Sequence, residues 1–172
     1  MAAIDDYNKF LASKPAAERE YRTLEFYHSD FVTPLRFLAD FGDGIFTLES
    51  TAPRNPSTVQ LFTGLSMAIN EPSENKDGLQ ALTASIGATG AELQDKLDLI
   101  TPANAFEAVE CIYRKYYSED LTDPVLVLYL SITSVEFNGY TKNTIVAEDQ
   151  DLASKSAGEL YTLDRFPGLR NI

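Results

Sequence analysis

The single histidine, His28, stands between Glu25 and Asp30, and a histidine beside a carboxylate is the minimum for general acid–base catalysis. A nucleophile would complete such a site. No serine or cysteine, however, lies in an elbow with glycines two residues to either side. A strand-end histidine that hydrogen-bonds locally is the simpler reading. Gly87-Ala88-Thr89-Gly90 precedes a helical pattern and so suggests a phosphate cradle, but the P-loop spacing, its lysine and the Rossmann spacing are missing. Thr89-Gly90-Ala91-Glu92 matches a capping box, which accounts for the same residues as a helix start.

Cys111 is the only cysteine, which excludes an intrachain disulfide and a cysteine-based zinc site; one histidine excludes His-pair metal sites. Asp149 and Asp151 do not fit the calcium-loop pattern. Carboxylate pairs of the glycosidase kind arise on any acidic surface, and a solvated acidic face explains them as well. No residue is assigned to catalysis, to a cofactor or to a metal. Tyr113, Tyr116 and Tyr117, with Tyr27, Tyr129 and Tyr140, cluster in strand-like regions, and this clustering tilts the reading toward an interaction surface.

The elements that must position these residues are mostly strands. The chain of 172 residues fits one ordinary domain, and with 44% hydrophobic and 11% aromatic residues it can build a core. Its net charge of −12 excludes phosphate-backbone binding as a main activity, since no basic patch is available for counterion release. The acidic start lacks the basic and apolar regions of a signal peptide, and the longest apolar run, Val125 to Leu130, is far too short to span a bilayer. A soluble chain made in a reducing compartment is the expectation.

Residues 3–20 predict a helix, with Ile4, Tyr7, Phe10 and Leu11 at helical spacing. From Arg22 the period changes: Leu24, Phe26 and His28 alternate with Thr23, Glu25 and Tyr27. Phe31 to Asp40 and Ile45 to Ser50 predict two strands joined by a tight turn, Phe41-Gly42-Asp43-Gly44, whose glycines supply positive φ. Gln60 to Ile69 predicts one strand bent near Gly64, Asn70 to Gly78 a mobile loop, and Leu79 to Ile86 another strand. Leu93, Leu97 and Ile100 mark a helix that stops before Pro102. Ala105 to Tyr117 and Val125 to Phe137 follow as long strands, the latter apolar on both faces as a covered central strand would be. Asn138-Gly139 then turns the chain into Tyr140 to Glu148.

In order, these features resemble a family of small minor tail proteins of long-tailed bacteriophages, the distal-tail-like components near the tail tip. The stretches that carry the likeness are Glu25-Phe26-Tyr27-His28 with Pro34-Leu35-Arg36-Phe37, and Gln80 to Ile86 leading into a helix. They continue with Leu128 to Val135 through Asn138-Gly139 to a closing Arg165-Phe166-Pro167-Gly168-Leu169. The resemblance runs from Tyr21 to Leu169 and brings no catalytic residue with it.

It implies an antiparallel β-sandwich or barrel-like domain; with the spacing read above, the chain is expected to be mainly β (α+β by content), with that domain over 21–172, one or two further short helices, and a helical N-terminal arm over 1–20 that lies outside the resemblance. The implied function is that of a non-enzymatic structural virion protein of the tail tip or baseplate. It would form a ring, hexameric by preference and trimeric as the alternative, connecting the tail tube to the hub and receptor-binding end. Tail-tube and hub proteins are its implied partners. Assembly would occur in the host cytoplasm, with no sequence-specific nucleic acid binding, no membrane insertion and no cofactor.

An acidic inner wall would keep DNA from adhering to such a ring. Tyr7, Phe10 and Leu11 of the arm and Phe166, Pro167 and Leu169 of the ending are the candidate interface residues. The alternative is a monomeric β-sandwich binding carbohydrate or another ligand, which the complete absence of tryptophan disfavours. A carboxylate-pair hydrolase is a third reading.

Overall fold

The computed structural model describes residues 19–74, 80–87, 91–138 and 142–148. The protein is mainly β, and among the described residues nine strands are hydrogen-bonded into one sheet in the order β3-β4-β2-β1-β7-β8-β9-β6-β5. In chain order these are β1 (Glu20–Tyr27), β2 (Leu35–Leu38), β3 (Gly44–Thr47), β4 (Val59–Gly64), β5 (Met67–Glu74) and β6 (Gln80–Ile86). A short helix, α1 (Ala91–Leu97), precedes β7 (Glu110–Tyr117), β8 (Leu126–Asn138) and β9 (Lys142–Glu148). All pairings are antiparallel except β2 with β4, where only Phe37↔Thr63 and Leu38↔Gly64 match in parallel. The mainly β chain expected from the sequence is thus realised as one hydrogen-bonded sheet.

The sheet curls in opposite senses at its two ends. Successive side chains of a strand point to opposite faces, so Lys115 and Tyr116 of β7 look opposite ways. On the Lys115 side, Glu71 of edge strand β5 reaches back to Lys115 Nζ at 2.6 Å and to Arg22 Nε of β1 at 3.3 Å. On the Tyr116 side, Thr47 of edge strand β3 donates its N–H to Leu121 O at 2.9 Å and accepts from Tyr116 Oη at 3.0 Å. Each curl encloses a core. The larger holds Leu24, Phe26, Tyr113, Leu82, Ile86, Ile145 and Leu93 of α1. The smaller holds Leu38, Phe46, Leu48, Ala52, Phe62 and Tyr116, with Phe46 edge-on to Phe62 at 5.5 Å and 4.8 Å from Tyr116.

Several sequence expectations change here. β1 opens at Glu20, before the expected change of period at Arg22, because the whole of Glu20–Tyr27 pairs with β7. The segment before β2 is turn rather than strand, and Pro34, which cannot donate to a ladder, immediately precedes β2. Gly42 and Gly44 do not make a hairpin, since β3 pairs with β4 and not with β2. Neither takes a positive φ; outside glycine that conformation falls to Asn55 (53°) and Ser57 (55°). Gly44 is needed for space, because a Cβ there would sit 2.8 Å from Leu38 Cδ2 and 2.5 Å from the Phe46 ring.

The run expected as one bent strand is two, and the break after Gly64 sends the chain from one end of the sheet to the other. Asn70 to Glu74, expected as loop, continues β5 across a register shift between Asn70 and Ser73. Pro72 falls within that irregularity, where its missing amide donor matters least. The segment 105–109 precedes β7 as turn and coil, held by Glu107 N–H to Asn104 O at 2.9 Å. β8 is central, but Tyr129 is exposed and Leu126, Leu128 and Ile132 are only half-buried, so its two faces are not both covered. β8 and β9 pair down to Asn138↔Lys142, and Gly139 lies outside the described residues. So do the N-terminal helix, the capping Thr89, Asp149 and Asp151, and the candidate interface residues Tyr7, Phe10, Leu11, Phe166, Pro167 and Leu169.

Candidate functional site

The densest gathering of chemically capable side chains is on the Tyr116 face of the central strands. β7 places Arg114 fully buried beside Thr23 of β1, two residues along from Glu25, which is also fully buried. Arg114 holds Glu49 with two bonds, Nε to Oε2 at 2.6 Å and Nη2 to Oε1 at 3.0 Å, while its Nη1 donates to Glu25 Oε2 at 3.0 Å. The planar guanidinium fork matches a carboxylate edge to edge, so both acids are fixed by one cation.

Glu25 collects two more arginines. Arg36, directly opposite on β2, donates from Nε at 3.2 Å, and Arg54 from Nε at 3.4 Å. The segment 48–58 brings in Glu49, Arg54 and Asn55, turning through the positive φ of Asn55 and Ser57. Arg36 also donates to Gln60 Oε1 at 2.9 Å and Asn55 Oδ1 at 3.0 Å. Arg54 Nη2 pairs with Glu110 at 2.7 Å, and its guanidinium lies 3.9 Å over the Tyr27 ring. Tyr129 Oη donates to Glu49 Oε1 at 3.1 Å.

Three guanidinium groups therefore answer three carboxylates and join four strands to one long loop. Burial alone would push Glu49 up, but the bonds and charge of Arg114 and the Tyr129 hydroxyl outweigh it and hold Glu49 below the usual carboxylate range. A glycosidase-type pair needs one acid raised enough to carry a proton at working pH. Glu49 is held the other way, as the charged partner of Arg114.

The opposite face carries a second, smaller network. Glu71 bonds Lys115 and Arg22 and accepts from Tyr113 Oη at 3.2 Å. Burial opposes its charge as well, and Lys115 and Arg22 hold it low. Folded-state values below the unfolded ones mean stability that is present above about pH 4.5 and lost as pH falls through the folded values. Urea midpoints should therefore be flat from pH 6 to 8 and fall steeply below about 4.5.

The alkaline side follows from burial. The Cys111 thiol is pushed from 9.0 to about 12, and burial also raises Tyr113 and Tyr116. A raised folded value means stability present below the unfolded value and lost as pH rises. From about pH 9 upward the midpoint should decline, with the 295 nm tyrosinate signal of these phenols appearing only as the chain unfolds.

Of the two carboxylates beside His28 in the sequence, Glu25 belongs to the arginine network, whereas Asp30 Oδ2 lies 4.0 Å from His28 Nδ1. His28 Nδ1 accepts the Asp30 N–H at 3.2 Å, and its buried Nε2 has no partner among the described residues. Asp30 also fastens two loops, accepting from Thr101 N at 2.8 Å and Asn104 Nδ2 at 2.6 Å. Of the tyrosine cluster, Tyr113, Tyr116 and Tyr117 are buried because both faces of β7 are covered, Tyr27 is half-buried, Tyr129 is exposed and Tyr140 lies outside the described residues. Arg36, Arg54, Arg114 and Glu49 were missed. The available signal was an Arg-Lys pair in the middle of an aromatic strand, Tyr113 to Tyr117, a place where unpartnered charges do not belong.

The network ties together residues from Glu25 to Tyr129, and residues 6–160 match the family model described as domain of unknown function (DUF1833). The chain belongs to the DUF1833 family. No curated protein matches it. In this DUF1833 chain the matched span takes in both charged networks and both cores.

Proposed function

We propose that this DUF1833 chain is a non-enzymatic structural component of a bacteriophage tail tip, assembled as a ring between the tail tube and the hub. The observation that carries the reading is that each arginine of its richest charged constellation lies against an acid of the same chain, with Arg54 Nη2, 2.7 Å from Glu110 Oε2, the one buried nitrogen there without hydrogen-bond geometry. Arg36, Arg54 and Arg114 are each paired with Glu25, Glu49 or Glu110 of the same chain. Such a network fixes the relation of strands and loop, which suits a part that transmits geometry.

The resemblance set out above supplies the phage context and the sandwich- or barrel-like form of the domain. Exposed apolar side chains at loop tips, Val32, Phe41 and Phe106, suit contacts with neighbours. Hexameric symmetry is the preferred form, with a trimer as the alternative. Native mass spectrometry of the chain, alone and with the tail-tube protein, tests the reading. A closed ring in either sample is expected; a monomer in both would overturn it and direct attention to ligand binding.

A further inference from the structure

His28 and Asp30 stand outside both charged networks, and a single proton decides how they are arranged. His28 directly follows β1 and is buried, with the Phe31 ring of the larger core 5.7 Å away. Its Nδ1 accepts the Asp30 N–H at 3.2 Å, which puts the proton of the neutral ring on Nε2. Nε2 is itself buried, with no partner among the described residues.

The Asp30 carboxylate is engaged elsewhere. Oδ2 accepts from Thr101 N–H at 2.8 Å and from Thr101 Oγ1 at 3.1 Å, and Oδ1 accepts from Asn104 Nδ2 at 2.6 Å. Thr101 and Asn104 begin a run of turns, with Asn104 N–H to Thr101 O at 3.0 Å and Glu107 N–H to Asn104 O at 2.9 Å. Asp30 thus anchors the segment 101–107, which carries the exposed Phe106. These bonds, that of the Thr101 N–H foremost, hold the Asp30 carboxyl below the usual carboxylate range, so it stays charged wherever a histidine titrates.

A proton added to His28 goes to Nδ1 and turns that atom from acceptor into donor, facing the Asp30 N–H, which is a donor as well. The acid at hand is Asp30, whose Oδ2 lies 4.0 Å from Nδ1. Other charged groups on neighbouring elements are Glu25 and Glu110, both engaged with arginines, and Glu92, Asp95, Lys96, Asp98 and Glu107 about α1 and the segment after it. Among the described residues no acid but Asp30 comes within 4.0 Å of the ring nitrogens. With two donors already on Oδ2, it cannot take His28 at hydrogen-bond distance and keep Thr101.

We propose that His28 and Asp30 form a pH-operated latch: Asp30 holds Thr101 and the segment 101–107 while the imidazole is neutral, and turns to His28 and releases them when it is protonated. Acid favours the released form, because that form alone gives the imidazolium an acceptor. The latch stands whether or not the chain forms a ring, and it changes how Phe106 is presented.

His28 is the single histidine, so its Cε1 proton can be followed by NMR without assignment by mutation. Hydrogen exchange of the Thr101 amide, corrected for its intrinsic rate, is read on the same full-length sample from pH 7.5 to 5. Protection of Thr101 should fall by about tenfold or more, with the midpoint of the His28 line. His28→Asn keeps an acceptor for the Asp30 N–H, since an asparagine oxygen bonds the amide two residues on, but it gains no proton. H28N should hold Thr101 protected down to pH 5, and D30A should leave it unprotected already at pH 7.5. Urea midpoints at pH 7 show whether the variants fold, and the wild-type comparison decides without them. A Thr101 amide that stays protected to pH 5, or loses protection at a pH unrelated to the His28 line, would overturn the latch. So would a folded H28N that loses protection as the wild type does, or a folded D30A that keeps it.

Discussion

Arg114→Ala should lower the stability of the chain by about 3–5 kcal/mol, since it leaves Glu49 and Glu25 buried without the cation that holds both. Loss of one member of a buried ion network costs more than the network contributes, because the remaining charges have no water to return to. For a domain of this size that corresponds to a melting temperature lower by about 10 °C or more. Arg114→Lys should fall in between, as an ammonium keeps the charge but cannot span Glu49 edge-on while donating to Glu25. Removing Glu49 together with Arg114, as R114M/E49L, should restore much of the loss, because Glu25 keeps Arg36 and Arg54. Chemical denaturation of the three variants measures this. A loss for R114A below about 0.5 kcal/mol, the level of an ordinary surface change, would contradict the account.

Phe26→Ala and Phe46→Ala should each cost about 3–5 kcal/mol, one from each core. The more informative outcome is the shape of the transition. β1 and β7 send alternate residues into both cores: Leu24 and Tyr113 into the larger, Tyr21 and Tyr116 into the smaller. Neither core can then melt alone, and F46A should unfold in one step. Far-UV circular dichroism and tyrosine fluorescence should give coincident midpoints, the latter being usable because the chain has no tryptophan. An early, separate fluorescence transition in F46A would show β3–β4 to be an independent unit.

Much of the strand content was legible in the sequence because period-2 alternation reports burial of one face. Leu24 and Phe26, and Leu82 and Ile86, were read correctly for that reason. The same rule failed where both faces are buried. In β1 the alternation of Thr23 and Glu25 with Leu24 and Phe26 suggested a solvated side, whereas Glu25 is fully buried against arginines. Its partners lie at positions 36, 54 and 114, and no local pattern links residues so far apart in the chain. Gly64 looked like a bend within a strand. It proves to be the point where the chain leaves one end of the sheet for the other, a choice made by the pairing of β5 with β6. The sheet order itself follows from such long-range pairings, as does the double curl.

The most direct test of the central claim is where the chain resides in an assembled particle. Gold-labelled antibody raised against it should decorate purified, intact tails at the distal end only, and mass spectrometry of the same tails should detect it in ring-like copy number. Tails that lack the chain, while the surrounding lysate contains it free, would contradict a structural role and return the question to what an unassembled DUF1833 chain binds.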